Sequence, residues 1–326
     1  MELVIFGLAF IVAALCAATM GFAIQRGATC TVAAVDDVLR RRSASRLLAL
    51  VEASLWVAGG LLVAQQLGWL THSPVGYALT GWTVLGAALL GLGAFINRAC
   101  VFGAVARLGS GEWVYIATPV GFYIGCVTVS ALFKPPAPVV LTDGSFVLGA
   151  PGWIAWLALP FFAWRIARPF VGPDRASMRE LLATRLWAPR AATAVIGVTF
   201  LAMLLLVGAW AYTDVLAEIA RGMAHSLPAR VLLLLCLLLG AVLGGWTTGQ
   251  FRHTPVTAVA LLRCLAGGIL MGWGSLLIPG GNDGLILVGM PLLWPYAWVA
   301  FATMCLSIGS ALWLQRKGAT AQRIEA

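Results

Sequence analysis

Apolar segments about 20 residues long, separated by short polar stretches, follow one another along almost the whole chain. A helix of roughly 20 apolar residues crosses the hydrocarbon core of a bilayer, which is about 30 Å thick. The pattern therefore predicts an all-α integral membrane protein with about nine transmembrane helices and additional short broken or re-entrant helices. The predicted spans are residues 3–23, 47–70, 76–95, 112–133, 146–164, 191–213, 229–248, 257–279 and 291–314.

Composition and charge agree with a membrane protein. Hydrophobic residues make up 61% of the chain and charged residues only 10%, whereas about a quarter of the residues in soluble domains are charged. Arginines cluster after the first, third, fifth and last predicted spans, and the intervening loops are almost free of cations. By the positive-inside rule, the N-terminus is expected outside and the C-terminus in the cytoplasm. Because this alternation accounts for the net charge of +9, the bilayer is the predicted partner and nucleic acid is not.

A glycine pattern occurs twice, in the form G-x4-G-x-G-x6-[C/G]-x2-G, with an offset of 181 residues. Four predicted spans precede the fifth and four follow it, so the two copies are expected to have opposite orientations in the membrane. The chain then divides into a first repeat (1–133), a connecting helix with a basic cytoplasmic linker (134–190), a second, inverted repeat (191–314) and a cytoplasmic tail (315–326). The pattern positions are Gly86, Gly91, Gly93, Cys100 and Gly103 in the first copy and Gly267, Gly272, Gly274, Gly281 and Gly284 in the second.

Four apolar segments are interrupted by glycines and polar residues, at 21–30, 93–103, 244–255 and 274–284. Non-helical backbone at membrane depth is tolerated only where it is buried in protein or lines a cavity. Repeated, broken helices are also the features that mark binding sites in inverted-repeat transporters. The interruptions therefore predict a path through the protein, although the glycines within the spans can equally serve close helix packing.

Cys30 and Cys100 are the strongest candidates for chemistry, because each lies at a break and precedes a short apolar stretch. The N-terminus of a helix offers free N–H donors and a partial positive charge to an anion, and a thiol adds a soft, weak donor. This combination favours an anion that contains both oxygen and sulfur. A neutral thiol suits transport, whereas a thiolate would suit a membrane thiol oxidoreductase, which is the competing hypothesis.

Several polar residues near the breaks complete the predicted site. Backbone amides around Gly103 and Gly284 are expected to hold anionic oxygens, and Asp283 is expected to cap the loop or to bind a coupling proton. The seven cysteines form no C-x2-C pair and the three histidines have no ligand spacing, so neither a metal nor a cofactor is predicted. The supporting residues are Arg26, Asn97, Arg98 and Asp283.

The motif Gly93-x6-Cys100-x2-Gly103, followed by Arg107-Leu108-Gly109-x-Gly111-Glu112 and preceded by Gly21-Phe22…Cys30, resembles the YeeE/YedE family of bacterial inner-membrane sulfur transporters. The resemblance covers most of the chain. It implies a transporter and not an enzyme, with thiosulfate as the substrate and a route lined by three cysteines, two of which match Cys30 and Cys100. It also implies a small TusA-like sulfur-carrier protein as a cytoplasmic partner.

The third cysteine of the family is missing here. Gly281 occupies its place and is followed by Asn282, Asp283 and Gly284. Either Asn282 supplies the missing hydrogen bond, or the substrate is a different small anion or a selenium or sulfur compound. Both alternatives keep the same scaffold.

Overall fold

The computed structural model describes residues 2–70, 73–141, 144–167, 186–222, 227–249, 251, 254–278 and 280–325. Within these residues the chain is almost entirely helical, as predicted. Most of the basic linker, and all three histidines, lie outside the described residues. The helices are α1 (Glu2–Arg26), α2 (Thr31–Arg41), α3 (Ser45–Gln66), α4 (Gly81–Asn97), α5 (Val101–Gly109), α6 (Ala117–Leu132), α7 (Trp153–Ala167), α8 (Pro189–Val207), α9 (Tyr212–Ala220), α10 (Leu227–Thr247), α11 (Ala258–Leu277), α12 (Asn282–Gly284) and α13 (Pro295–Glu325).

Eight helical segments within the described residues are long and apolar enough to cross a membrane. They coincide with eight of the nine predicted spans. The remaining span, predicted at 146–164, contains α7, which has only 15 residues and is therefore about 22 Å long. The chain is a multi-pass membrane protein.

Long helices followed by a break and a short helix occur four times in the fold. These pairs are α1 with α2, α4 with α5, α8 with α9, and α11 with α12, the last of which continues as a π-helical turn at Leu285–Gly289. The breaks need unusual backbone, with positive φ angles at Ala28, Arg98, Gly208 and Gly280. Short helices at such breaks place their first amides inside the protein rather than at its surface.

The interruption predicted at 244–255 lies where α10 ends, at Thr247, ahead of the long helix α11, which begins at Ala258. The fourth break that leads into a short helix lies between α8 and α9, within the span predicted at 191–213. Gly208 lies there, 181 residues after Gly27. The offset found in the glycine pattern therefore also relates the first break to the break that sequence analysis missed.

Glycines let the central helices pack backbone to backbone. A Cβ on Gly86 would lie 2.8 Å from the carbonyl oxygen of Gly274, and one on Gly93 would lie 2.7 Å from that of Gly267. As the residue number rises along α4, the number of its partner falls along α11, so these two helices are antiparallel. Packing is therefore the role of these glycines, as expected of small residues between membrane helices.

Candidate functional site

The first two breaks bring Cys30 and Cys100 side by side. Each cysteine has extended backbone and directly precedes the first residue of a short helix, α2 for Cys30 and α5 for Cys100. The N–H of Thr31, the first residue of α2, donates to the Cys100 sulfur at 3.1 Å. The side chains of Cys30 and Cys100 are also close enough to interact with each other. Two helix N-termini and two thiols thus converge on one point.

Gly103 makes room for the Cys30 thiol. A Cβ at this position would lie 2.5 Å from the Cys30 sulfur and 3.0 Å from the Cys30 Cβ. Any side chain here would push the thiol away from α5. Gly103 therefore lies beside Cys30 and leaves space for its sulfur.

Asn97 stabilises the backbone conformation at the break before Cys100. Its side chain is fully buried, donates to the carbonyl of Ala99 at 2.8 Å and accepts from the hydroxyl of Thr118 at 3.0 Å. These bonds use the amide oxygen and one amide hydrogen within the protein. Asn97 is thus a positioning residue behind the cysteine.

At Gly281, the position of the missing third cysteine, other side chains occupy the space of a thiol. A Cβ on Gly281 would lie 2.5 Å from the Thr213 hydroxyl oxygen and 2.8 Å from an Asp283 oxygen. The Thr213 hydroxyl, on α9, therefore occupies the space into which a side chain at 281 would project. Sequence reasoning missed Thr213 because α9 was assigned to the end of a continuous span.

Hydrogen bonds tie this third position to the cysteines. Asn282 donates to the Thr31 hydroxyl at 3.5 Å, at the outer limit for such a bond, and its side-chain oxygen has no partner within the described residues although it is buried. Tyr212 donates its hydroxyl to the carbonyl of Val101 at 3.0 Å. A Cβ on Gly284 would meet nothing within 4 Å, although Gly284 is itself buried. Free space and unused hydrogen-bonding capacity thus lie next to Asn282.

A cavity of about 760 Å³ leads to Cys30 from one face of the molecule. Cys30 is partly exposed, whereas Cys100, Asn282 and Asp283 are each only 1% exposed. The site is therefore open as far as Cys30 and closed beyond it. The charged residues that line the cavity are Asp36, Arg40, Arg46, Arg98, Arg107 and Arg263.

Five cations against one carboxylate give the cavity a positive lining. Arg40, Arg46 and Arg107 are paired with nearby acids, whereas Arg98 and Arg263 form no ion pair among the described residues. Arg98 is also the residue with positive φ that shapes the break before Cys100. Positive clefts concentrate anions and speed their arrival.

Arg26, predicted as a supporting residue, does not line this cavity. It is 4% exposed, donates to the Thr247 hydroxyl at 2.9 Å and lies over the ring of Phe22 at 4.8 Å. The bond to Thr247 joins the end of α1 to α10.

Comparison with known proteins gives two matches. A family model described as Sulphur transport matches residues 26–312. The curated thiosulfate transporter TsuA of Escherichia coli strain K12 is 23% identical over 340 aligned residues, which cover 92% of this chain and 93% of TsuA.

Proposed function

Because this chain belongs to the sulphur transport family, as the resemblance in its sequence predicted, we propose that it imports a small sulfur-containing anion across the bacterial inner membrane, with thiosulfate as the first candidate. The observation that carries this proposal is the meeting of Cys30 and Cys100 at two helix N-termini, at the end of an arginine-lined cavity. The similarity to TsuA, a thiosulfate transporter, supports thiosulfate as the substrate to test first.

The proposed route begins on the outside at Asn282, passes Cys100 and Cys30, and ends in the arginine-lined cavity. Neutral thiols donate weak hydrogen bonds to the sulfur or oxygen atoms of the anion, and the first amides of α2 and α5 offer further donors. Because each contact is weak and several follow in series, the anion can enter each position and leave it again. Thiolates would repel the anion, so the thiols act in their protonated form.

The direction of helix packing supports an inverted 4+1+4 repeat. Helices α4 and α11 occupy equivalent positions in the two halves and are antiparallel. A Cβ on Gly121 would contact Leu265 and one on Gly125 would contact Ile269, so α6 and α11 are parallel. If each long helix crosses the membrane once, this arrangement requires three crossings between α6 and α11. We therefore infer that α7 completes a ninth crossing despite its length.

The charge distribution supports a cytoplasmic C-terminus and an outer N-terminus. Arg316, near the end of α13, pairs with Asp36 at 2.5 Å, and Asp36 lines the arginine-rich cavity. The basic end of the last helix therefore lies at the same face as the cavity. By the positive-inside rule this face is cytoplasmic, so the described conformation is open to the inside.

Uptake by cells tests the proposal. Sulfur-starved bacteria without other uptake routes should grow on thiosulfate when they express this protein, and Cys30→Ala and Cys100→Ala should each reduce uptake of labelled thiosulfate. Cys236→Ala, in α10 and outside the proposed route, is the matched control. Wild-type uptake of thiosulfate no higher than in cells without the protein would refute the substrate assignment. Unchanged uptake by Cys100→Ala at equal expression would remove the thiol from the mechanism.

Because the third cysteine is missing, the choice of substrate needs an experiment of its own. Thr213 and Asp283 offer oxygen atoms where the family has a sulfur atom, and oxygen is a harder, more polar partner. Competition of labelled thiosulfate with sulfite, sulfate and selenium analogues ranks the candidates. Stronger competition by another anion than by unlabelled thiosulfate would make that anion the substrate.

The contact between the two thiols also favours one alternative, a membrane thiol oxidoreductase, because adjacent thiols can form a disulfide. Both cysteines are free in the structure. Mass-shift labelling after mild oxidation separates the hypotheses: a reversible cross-link between Cys30 and Cys100 that forms during turnover supports the oxidoreductase, and full labelling of both thiols during uptake supports the transporter.

A small TusA-like sulfur carrier remains the predicted cytoplasmic partner. The arginine-rich segment at 165–190, part of the basic linker, is the surface proposed for this contact, and residues 168–185 of it lie outside the described part of the chain. Co-purification of such a carrier with the wild type, and its loss when the linker arginines are replaced, is the expected result.

A further inference from the structure

Asp283 is a buried acid without a charged partner. It is 1% exposed and accepts hydrogen bonds from the Thr213 hydroxyl at 2.5 Å, from the Thr213 N–H at 3.4 Å and from the Gly284 N–H at 3.1 Å. All of these donors are uncharged, and Asp283 forms no ion pair within the described residues. Hydrogen bonds from uncharged donors stabilise a buried carboxylate but do not neutralise its charge. Protonation therefore removes the free-energy cost of burying that charge.

The groups around Asp283 do not supply the missing positive charge. From α9, Tyr212 and Asp214 face it, and Cys100, directly before α5, interacts with Tyr212. The π-helical turn at Leu285–Gly289 contributes only apolar side chains and glycine, and α2 contributes the neutral Thr31 through Asn282.

The cations nearest to this region act on the neighbouring acids of α9. Arg221 and Arg230 both influence Asp214, and Arg230 also forms an ion pair with Glu218. Neither forms a salt bridge to Asp283 among the described residues. Asp283 can therefore exchange a proton without breaking an ion pair.

The neighbourhood of Asp283 also has room for a ligand. The buried side-chain oxygen of Asn282 has no partner in the described part of the chain. Space next to Gly284 is free, since a Cβ there would meet nothing within 4 Å. An unpaired polar atom beside a buried void, one residue from Asp283, indicates that something polar passes through or binds here.

Accumulation of an anion needs an energy source. The inside of a bacterium is electrically negative, so inward movement of an anion is opposed by the membrane potential. A cation that travels with the anion removes this opposition. A buried acid on the route, without a counter-charge, is a suitable carrier for a proton.

We propose that Asp283 couples anion import to inward movement of protons, an inference that rests on the function proposed above. From the outside, one proton binds the Asp283 carboxylate and neutralises it. The Thr213 hydroxyl, no longer held by a carboxylate, then donates to the arriving anion. After the anion has moved on to Cys100, Asp283 releases the proton toward the cytoplasm, and the restored carboxylate prevents the anion from returning.

The test uses the full-length protein in liposomes, with labelled thiosulfate and the membrane potential clamped at zero by valinomycin and equal potassium. An acidic exterior should raise wild-type accumulation by up to about tenfold per pH unit for each coupled proton, since one pH unit corresponds to a tenfold ratio in proton activity. A protonophore should abolish this gain. Exchange of labelled for unlabelled thiosulfate at equal pH measures binding and passage without coupling.

Two variants and one control locate the coupling. Asp283→Asn should lose the response of thiosulfate accumulation to the pH gradient, at whatever exchange rate it retains, whereas the control Glu218→Gln, on α9 and outside the route, should keep that response. Thr213→Val removes a donor to the carboxylate, so it should shift the pH dependence of exchange to higher pH. If Asp283→Asn does not fold, Thr213→Val and the response of the wild type to the pH gradient still test the coupling.

The failures of the two proposals can be told apart. Wild-type exchange of thiosulfate without any response to the pH gradient would overturn the coupling and leave the transport function standing. Gradient-driven accumulation retained by Asp283→Asn, or an unshifted pH profile in Thr213→Val, would remove Asp283 from the coupling. Absence of thiosulfate exchange in the wild type would overturn the transport function itself.

Discussion

Replacement of Gly103 by alanine tests whether the Cys30 thiol lies where the structure places it. The new Cβ would lie 2.5 Å from the Cys30 sulfur, whereas non-bonded heavy atoms normally approach to about 3.5–4.0 Å. The sulfur must therefore move by about 1 Å or more. Overpacking of this kind lowers the free energy of unfolding by about 1–3 kcal/mol. Alanine offsets about 1 kcal/mol of this loss, because it favours the helix more than glycine does.

The expected net loss of stability for Gly103→Ala is thus about 0–2 kcal/mol, a fall of a few degrees in the melting temperature of the purified protein. Displacement of the thiol should also cost about one hydrogen bond to the passing anion, roughly 1.4 kcal/mol, and so lower uptake about tenfold. Thermal unfolding in detergent and uptake of labelled thiosulfate measure the two effects separately.

A double-mutant cycle sharpens the test. In Cys30→Ala/Gly103→Ala the sulfur is absent, so most of the stability lost in Gly103→Ala should return, with a coupling energy of about 1 kcal/mol. Gly284→Ala is the matched control, because it changes the equivalent glycine where a Cβ meets nothing within 4 Å, and its melting temperature should not fall. If Gly103→Ala lowers the melting temperature equally with and without the Cys30 sulfur, the described contact does not exist.

Three further predictions concern charges and links around the site. Arg165→Met should lower the free energy of unfolding by about 1.5–3 kcal/mol, because it removes the closer guanidinium partner of the half-buried Glu52, at 2.5 Å, and leaves only Arg190 at 3.7 Å; Glu52→Gln/Arg165→Met should recover most of this loss in a thermal unfolding assay, and equal loss in both variants would contradict the reasoning. Arg263→Gln should raise the KM for thiosulfate presented on the cavity side, measured as exchange in liposomes, at low ionic strength and much less at high salt, since screening weakens attraction in the open cavity; Arg42→Gln, outside the cavity lining, is the control, and a salt-independent effect would argue against attraction. Tyr212→Phe should cost about 1–3 kcal/mol by leaving the Val101 carbonyl without its donor, which the melting temperature checks against Tyr123→Phe on the exposed face of α6; equal values would show that the bond does not matter.

Hydrophobic pattern and glycine spacing were enough to predict most of the fold. Lengths of apolar segments respond to the thickness of the bilayer, so eight spans could be located without any tertiary information. The pattern failed at Gly208, because an apolar run with one glycine looks the same whether its helix is continuous or broken. Applying the 181-residue offset to Gly27 would have located this break.

The site was only partly predictable, because side chains from distant segments meet there. Cys30 and Cys100 could be selected from their own neighbours along the chain. Thr213 could not, since its proximity to Gly281 depends on how α9 packs against α12. Arg26 was selected for its charge near a break, yet its contacts with Thr247 and Phe22 direct it toward α10.

The residues at the four breaks also differ in chemistry between the first and the second part of the chain. The residues that immediately precede the short helices are Cys30 and Cys100 in the first half, and Ala211 and Gly281 at the same offset in the second. The first half therefore presents thiols, and the second presents the Thr213 hydroxyl and the Asp283 carboxyl. Contacts between Asn282 and Thr31 and between Tyr212 and Val101 join the two sets. On the proposed route, an anion would leave a protonatable site before it reaches two soft ones, and that order would give the pathway a direction which two identical sets of residues could not provide.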